Sequence, residues 1–443
     1  MKKVITYGTF DLLHYGHINL LERAKKLGDY LIVGVTSDAY DKTRGKINVQ
    51  QSLAERIEAV RSTGLADQII VEEYEGQKID DVKRYGIDIF TVGSDWIGKF
   101  DYLREYCEVV YLERTKGISS SELRSKDRKL TMGIIGDSAY YINKFQSEDK
   151  YVNGIEIIGI CTNNLEEMND SIKKLPVVTN DYDKLLQNVD SVYIKSKVEN
   201  HYEQIKKALN TGKHVLCESA ICESKEKCKE LFDLAKEKNL ILMEAIRTAY
   251  STAYSRLLSL AKTGKIGKIL SIDVTCTNMQ NLKDNNNKAF SFKDWGTNAL
   301  LPIFQILGTD YRDYKIISHF SNGKKMQDLF TKIDLLYNHA TASIKVAEGA
   351  KSEGELVITG TEGYIYVPSP WWKTDYFEVR YENPNNNERF FYQLDGEGIR
   401  YQLVAFTRSV NDEKNISYID EEISLEFCDM INNFNKGKNL YII

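Results

Sequence analysis

The chain is expected to fold as two successive parallel α/β units followed by an α+β open sheet. Three observations predict this. Strand-like apolar runs alternate with amphipathic helical stretches over the first 248 residues or so, and the alternation is interrupted by a charged tract at 124–130. From about residue 265 the texture changes to β-rich runs separated by polar turns. The length of 443 residues is about three times a ~150-residue domain, so several cores are expected.

In the first unit the strand runs are VITYGTF (4–10), YLIVGVTS (30–37), QIIVEE (68–73), IDIFTVGS (87–94) and CEVVYL (107–112). The helix after the first run, HINLLERAKKLG, places Ile18, Leu20, Leu21 and Ala24 on one face, sets Glu22, Arg23, Lys25 and Lys26 opposite, and stops at Gly28. The tract RSKDRKL (124–130) reads as a domain junction or as an extension of the last helix. The second unit has runs LTMGIIGD (130–137), IEIIGICTN (155–163), SVYIKS (191–196), HVLCES (214–219) and LILMEA (240–245). The helices YEQIKKALNTG (202–212) and KEKCKELFDLAKEKN (225–239) fall between them. Beyond it, KILSIDVTCT, KVAEGA, ELVITG, YIYVPS and FEVRYE predict a largely antiparallel sheet with DNNNK and ENPNNNER as turns, closed by the helix SLEFCDMINNFNKG. The boundaries are set at 1–128, 130–248 and 249–443, with no internal repeat.

Hydrophobic residues at 42% and charged residues at 28% are ordinary globular values. A net charge of −5 removes the broad basic field of a nucleic-acid binder, so an anionic ligand must be held locally. No run of 18 apolar residues occurs and the start MKKVITYGTFD lacks a leader pattern, so a cytoplasmic protein without a membrane partner is expected. Seven scattered cysteines, with Cys222 and Cys228 six apart, match no zinc spacing; they read as reduced core thiols, and no metal site is expected.

The segment TYGTFDLLHYGH (6–17) brings a strand end, a glycine turn, His14, Gly16, His17 and a helix start together, where an α/β sheet places its ligand. Taken alone, the pair also fits two surface histidines capping a helix. A basic stretch KTRGK (42–46) follows the second strand, and RTKGISSSEL (114–123) follows the fifth. GTFDLLHYGHINLLERAKKLGDYLIVGV, GSDWIGKFDYLREYCEVVYL and RTKGISSSEL resemble the glycerol-3-phosphate cytidylyltransferase family of HxGH nucleotidyltransferases. The resemblance implies a Rossmann-like nucleotidyltransferase over 1–128, moving CMP from CTP to a polyol or sugar phosphate with Mg2+ present, for a surface polymer. By the same resemblance His14, His17, Lys46 and Arg114 are catalytic, with Lys42 or Arg44 as neighbours of Lys46. Thr9, Phe10, Asp11, Gly16, Asp95, Trp96, Ser119 and Ser120 bind substrate, and Asp11 orients the site or the Mg2+. Two departures concern the acceptor. Gly64, with Arg61 nearby, stands where the family pattern has a second arginine eight residues after Arg56, and Ser94-Asp95-Trp96 replaces Asp-Asp-Trp.

The segments 189–219, LILMEAIRTAY (240–250), TGKIGKILSIDV (263–274) and YQLVAFTRSV (401–410) resemble the Gfo/Idh/MocA oxidoreductases. This implies a dinucleotide-binding-type Rossmann domain and then an α+β open-sheet domain for substrate and for assembly into a homo-oligomer. NAD(P) contacts would fall on Gly136, Ser138, Thr162 and Glu218, and a second site on Asp294 and Asn298. The fingerprint has lost its later glycines, leaving Gly136, Ser138 and Tyr141. The family's Glu-Lys-Pro reads Glu218, Ser219, Ala220, and its Asp-x-Gly-x-His reads Asp294, Gly296, Asn298. Neither Ser219 nor Asn298 titrates near neutrality, so a degenerate oxidoreductase fold is expected ahead of an active reductase. His201 and His214 are expected to be structural.

Overall fold

A computed structural model describes residues 1–44, 46–113, 129–279, 291–321, 327–392 and 394–443. The turn DNNNK and the run at 114–123, with Arg114, Ser119 and Ser120, lie outside the described residues. The chain divides into two units, Met1–Lys129 and Leu130–Ile443.

The first unit is a five-stranded, all-parallel sheet of β1 (Lys3–Gly8), β2 (Tyr30–Thr36), β3 (Gln68–Glu72), β4 (Ile89–Gly93) and β5 (Glu108–Leu112), in the order β3-β2-β1-β4-β5. Successive residues of β1 face opposite layers. Val4 packs with Leu21, Ala24, Val33 and Val60, and Ile5 with Val82, Phe90, Leu103 and Val109. Helices α1 (Tyr15–Lys25), α2 (Asp38–Thr43), α3 (Leu53–Ser62) and α4 (Gln77–Tyr85) connect the strands. The order reverses between β1 and β4, which opens a crevice at their carboxyl ends. β1 stops at Gly8 rather than at Phe10, because Phe10 (φ 53°) and Leu12 (φ 47°) turn into the left-handed region and carry the chain away from the sheet.

The second unit begins with a six-stranded parallel sheet of β6 (Leu130–Gly136), β7 (Ile155–Cys161), β8 (Val177–Thr179), β9 (Ser191–Lys195), β10 (His214–Glu218) and β11 (Leu242–Ala245), ordered β11-β10-β9-β6-β7-β8. Its reversal lies between β6 and β9. The short strand β8 has no periodicity of its own and forms on the template of β7. A mixed nine-stranded sheet follows. In spatial order it comprises Glu388–Phe391, Tyr376–Arg380, Tyr364–Val367, Leu356–Gly360, Ile269–Thr277, Thr341–Ala347, Asp328–Leu336, Asp313–Phe320 and Leu440–Ile442. Two of its pairings are parallel, Ile269–Thr277 with Thr341–Ala347 and Asp313–Phe320 with Leu440–Ile442. The helices Ser291–Leu307 and Glu421–Asn435 pack together beside it. No helix among the described residues is long and apolar enough to cross a membrane.

Candidate functional site

The β1–α1 turn presents the histidines. His14 is the N-cap of α1, and its Nδ1 accepts the Gly16 amide at 3.1 Å. One turn on, the His17 ring stacks on that of His14 at 3.9 Å, with Phe10 edge-on at 5.5 Å. His17 Nδ1 is buried without a hydrogen-bond partner. Burial, with His14 and Lys46 as further causes, pushes the His17 pKa down to about 3, so the ring is neutral at neutral pH.

A second loop is tied onto this turn. Lys46 Nζ donates to Thr9 Oγ1 at 2.9 Å, and Thr9 Oγ1 donates to Asp41 Oδ1 at 2.9 Å. Arg44 also reaches Asp41 Oδ1, at 2.9 Å. Burial raises the Asp41 pKa against the opposing pull of Lys46, Thr9 and Arg44. Asp11 Oδ1 accepts the amides of Gln50 and Gln51 at 3.1 and 3.0 Å, and Gln51 Oε1 accepts the Leu12 amide at 2.7 Å. Asp11 therefore latches the histidine loop to the lysine loop. After β4, Ser94–Trp96 forms a 3-10 turn on the other side of the reversal, with Asp95 exposed and Lys99 lying 5.0 Å over the Trp96 ring.

Arg56, on α3, is the arginine from which the family pattern counts its second one, and its burial and its contacts are what motif reading did not reach. It is 0% exposed, and its guanidinium donates to the carbonyls of Thr9 (2.6 Å), Thr36 (2.8 Å) and Gln51 (3.1 Å) while pairing with Asp38. Its signal lies in the helix pattern, because Arg56 shares a face with Leu53 and Val60. A buried Lys78–Glu72 pair, with Thr36 donating to Glu72 and Tyr7 to Asp81, underlies the same end of the sheet.

The second unit gathers a different set of groups. At its reversal Gly136 is needed for close approach, since a Cβ there would lie 2.3 Å from the Lys195 carbonyl. Ser138 is the N-cap of helix Ala139–Glu148 and makes no side-chain cap bond. Asp137 Oδ1 accepts Thr162 Oγ1 at 2.9 Å and the Asn163 amide at 2.8 Å, which puts a carboxylate beside the place a dinucleotide phosphate takes in this fold type. Glu218 accepts from Tyr193 and from Lys195 Nζ (3.2 Å), and Lys195 also lies 4.6 Å over the Tyr141 ring. Burial pushes the Glu218 carboxyl up, but Lys195, Tyr193 and Arg247 outweigh it and hold the group below the usual range. Ser219 is bonded to the buried Glu244. Asp294 is exposed in the first turn of helix Ser291–Leu307, with Asn298 half-buried one turn further on. His201 lies between the carbonyls of Ala220 (2.8 Å) and Ser196 (3.2 Å), and His214 Nδ1 accepts the Ile241 amide at 3.0 Å; both histidines hold loops and strands together.

Residues 130–246 match the family described as oxidoreductase, NAD-binding Rossmann fold. The 3-ketoreductase KijD10 of Actinomadura kijaniata, solved with NADP and TDP-benzene, superposes with a TM-score of 0.63 at 17% identity over 71% of this chain and 100% of its own, a likeness of fold. Residues 5–126 match the Cytidylyltransferase-like family. The glycerol-3-phosphate cytidylyltransferase of Bacillus spizizenii is 52% identical over 124 residues, covering 28% of this chain and 95% of that enzyme. The enzyme of the same name from Staphylococcus aureus is 47% identical over 133 residues, covering 29% and 100%. With identity at this level across nearly the whole of a relative, and the histidine pair seated at the reversal of a five-stranded parallel sheet, the chain belongs, through its N-terminal unit, to the glycerol-3-phosphate cytidylyltransferase family.

Proposed function

We propose that the N-terminal unit transfers CMP from CTP to glycerol 3-phosphate or a closely related polyol or sugar phosphate, releasing pyrophosphate. The observation that carries this is the stacked His14–His17 pair at the head of α1, with Lys46 tethered through Thr9 to the same turn. An oxygen of the acceptor phosphate attacks the α-phosphorus, the bond to the bridging oxygen breaks, and pyrophosphate departs. No protein nucleophile is required, and catalysis is positioning and charge neutralisation. Because His14 Nδ1 accepts an amide proton, the neutral ring carries its own proton on Nε2 and donates it to a phosphate oxygen. Burial keeps His17 a neutral donor, so positive charge comes from Lys46 and the α1 amino end. Mg2+ would arrive with the CTP phosphates, which supply most of its ligands. Asp11, with one oxygen already latched by amides, is the carboxylate of this turn that could share it.

Gly64 stands after α3 in open space, and Arg61 pairs with Glu58 on its own helix, so neither replaces an acceptor-binding arginine. This supports testing a panel of three- to five-carbon polyol phosphates with CTP, and ATP as the control nucleotide. Pyrophosphate release with CTP is expected, and His14→Ala or His17→Ala should lower kcat by about 100-fold or more. Absence of release with every acceptor would sink the reading.

For the second unit we infer a dinucleotide-type fold whose proton-transfer positions are occupied by Ser219 and Asn298, serving as a ligand-binding or oligomerising module. The engagement of Asp137 and of Lys195 with Glu218 at the reversal supports this. An active NAD(P)H reductase that makes the polyol phosphate is the second reading, favoured by the family match over 130–246. NADPH oxidation with ketose phosphates, or a dinucleotide retained through purification, selects it.

A further inference from the structure

Three cysteines from separate segments of the C-terminal unit converge on one point. Cys222 lies in the loop after β10, Cys228 in the first turn of helix Lys225–Glu237, and Cys428 midway along helix Glu421–Asn435. Their Sγ atoms all lie within 4.8 Å of one another, and the residues are 2%, 0% and 0% exposed. A metal with bonds to sulfur of about 2.3 Å needs sulfurs about 3.8 Å apart in a tetrahedral site and about 4.0 Å apart in a trigonal one, which this spacing accommodates.

The surroundings select the chemistry. The polar groups that could compete as hard ligands are committed elsewhere. Glu244 is held by Ser219 and Ser424, Glu426 by Tyr311 and Lys225, and His201 by two carbonyls. The donor set is therefore all sulfur, and soft thiolates favour zinc-group ions and monovalent copper over Mg2+ or Ca2+. Cys222 and Cys228 flank the amino end of a 13-residue helix, whose dipole favours thiolate.

We propose that Cys222, Cys228 and Cys428 form a three-thiolate site for a closed-shell thiophilic metal ion, which clamps the C-terminal helix Glu421–Asn435 to helix Lys225–Glu237. Binding replaces three S–H protons by three metal–sulfur bonds and releases those protons; no oxidant is involved. The clamp joins elements that already pack against each other and are far apart in sequence, so it stabilises the folded unit directly.

The test uses the full chain, reduced and stripped of metal, titrated in separate arms with Cd2+, Zn2+ and Cu+. One equivalent of Cd2+ should produce the ultraviolet sulfur-to-cadmium charge-transfer band and raise Tm. The Zn2+ and Cu+ arms, read by Tm and by competition with a chelator, identify which ion class holds tightest. Cys222→Ser and Cys428→Ser should lose both the band and the Tm rise, whereas Cys107→Ser, in the other unit, should keep both. No band in the wild-type chain at one equivalent, or a band that survives in both serine variants, overturns the proposal. The wild-type titration decides the matter by itself if a variant does not fold.

Discussion

His14 and His17 stack, yet they do different work, because one ring is tied to an amide and the other is buried. For His17 the native pKa of about 3 lies below the ordinary 6.5, so the unfolded chain binds more protons between those values. Its contribution to stability is fully present above about pH 6.5 and is lost as pH falls toward 3. Thermal melts of the wild type and His17→Asn from pH 7 to 4 should converge as acid is added; parallel curves would contradict the assignment. Arg56 is the other decisive residue. Arg56→Met removes the ion pairs with Asp38 and with the buried Asp41, and takes the guanidinium donor from three carbonyls. A loss of about 3–5 kcal/mol in urea unfolding is expected, with cytidylyltransferase kcat falling beyond what the folded fraction explains. The histidine pair stood out as a candidate only with the basic stretch at 42–46 and the run at 114–123 in order behind it. The burial of Arg56 was not legible, because a lone arginine in a helix reads as solvated until tertiary contacts bury it.

At the scale of elements, α3 carries Arg56, and its start is well specified. Ser52 and Glu55 form a reciprocal capping box. Ser52→Ala should cost about 0.5–2 kcal/mol and raise KM for CTP more than a surface substitution such as Glu58→Ala, as α3 frays and the Thr9 turn loosens. Gly34 on β2 carries a different constraint, since a Cβ there would sit 2.2 Å from the Tyr7 ring. Gly34→Ala should cost about 1–3 kcal/mol by overpacking, measured by chemical unfolding. The long apolar strands β1, β2, β4 and β6 were readable because both faces are buried. β8 and the edge strands Glu388–Phe391 and Leu440–Ile442 were not, because three or four residues carry too little pattern and their pairing partners, not their own composition, make them strands.

Across the whole molecule, two sheets repeat one strand order with different contents at their reversals, and two acids buried in the second unit, Glu244 and Asp328, titrate in the opposite sense to His17. Burial pushes Glu244 up to about 7 and Asp328 up to about 6, above their ordinary 4.5 and 3.8. A folded state that holds extra protons loses stability as pH rises through those ranges. Hydrogen exchange in peptides around Ser219, Glu244 and Ser424 should therefore show slower intrinsic-rate-corrected opening at pH 5 than at pH 7, and Glu244→Gln should flatten the difference. The same scale sets the limit of sequence reading. The departures from the family motifs at Ser219 and Asn298 were visible in local sequence. The meeting of Cys428 with Cys222 and Cys228 was not, because it depends on a helix near the C-terminus returning to the second sheet.

The Asp11 latch has a consequence for how substrate is gripped. By bonding the amides of Gln50 and Gln51 while Lys46 reaches back to Thr9, it makes two chain segments a single mechanical body with little independent freedom. Ordering one segment around a phosphate then orders the other at no added entropic cost, so the contributions of His14 and Lys46 to triphosphate affinity should be superadditive. A double-mutant cycle with Asp11→Asn as a third dimension should show that coupling shrink when the latch is weakened.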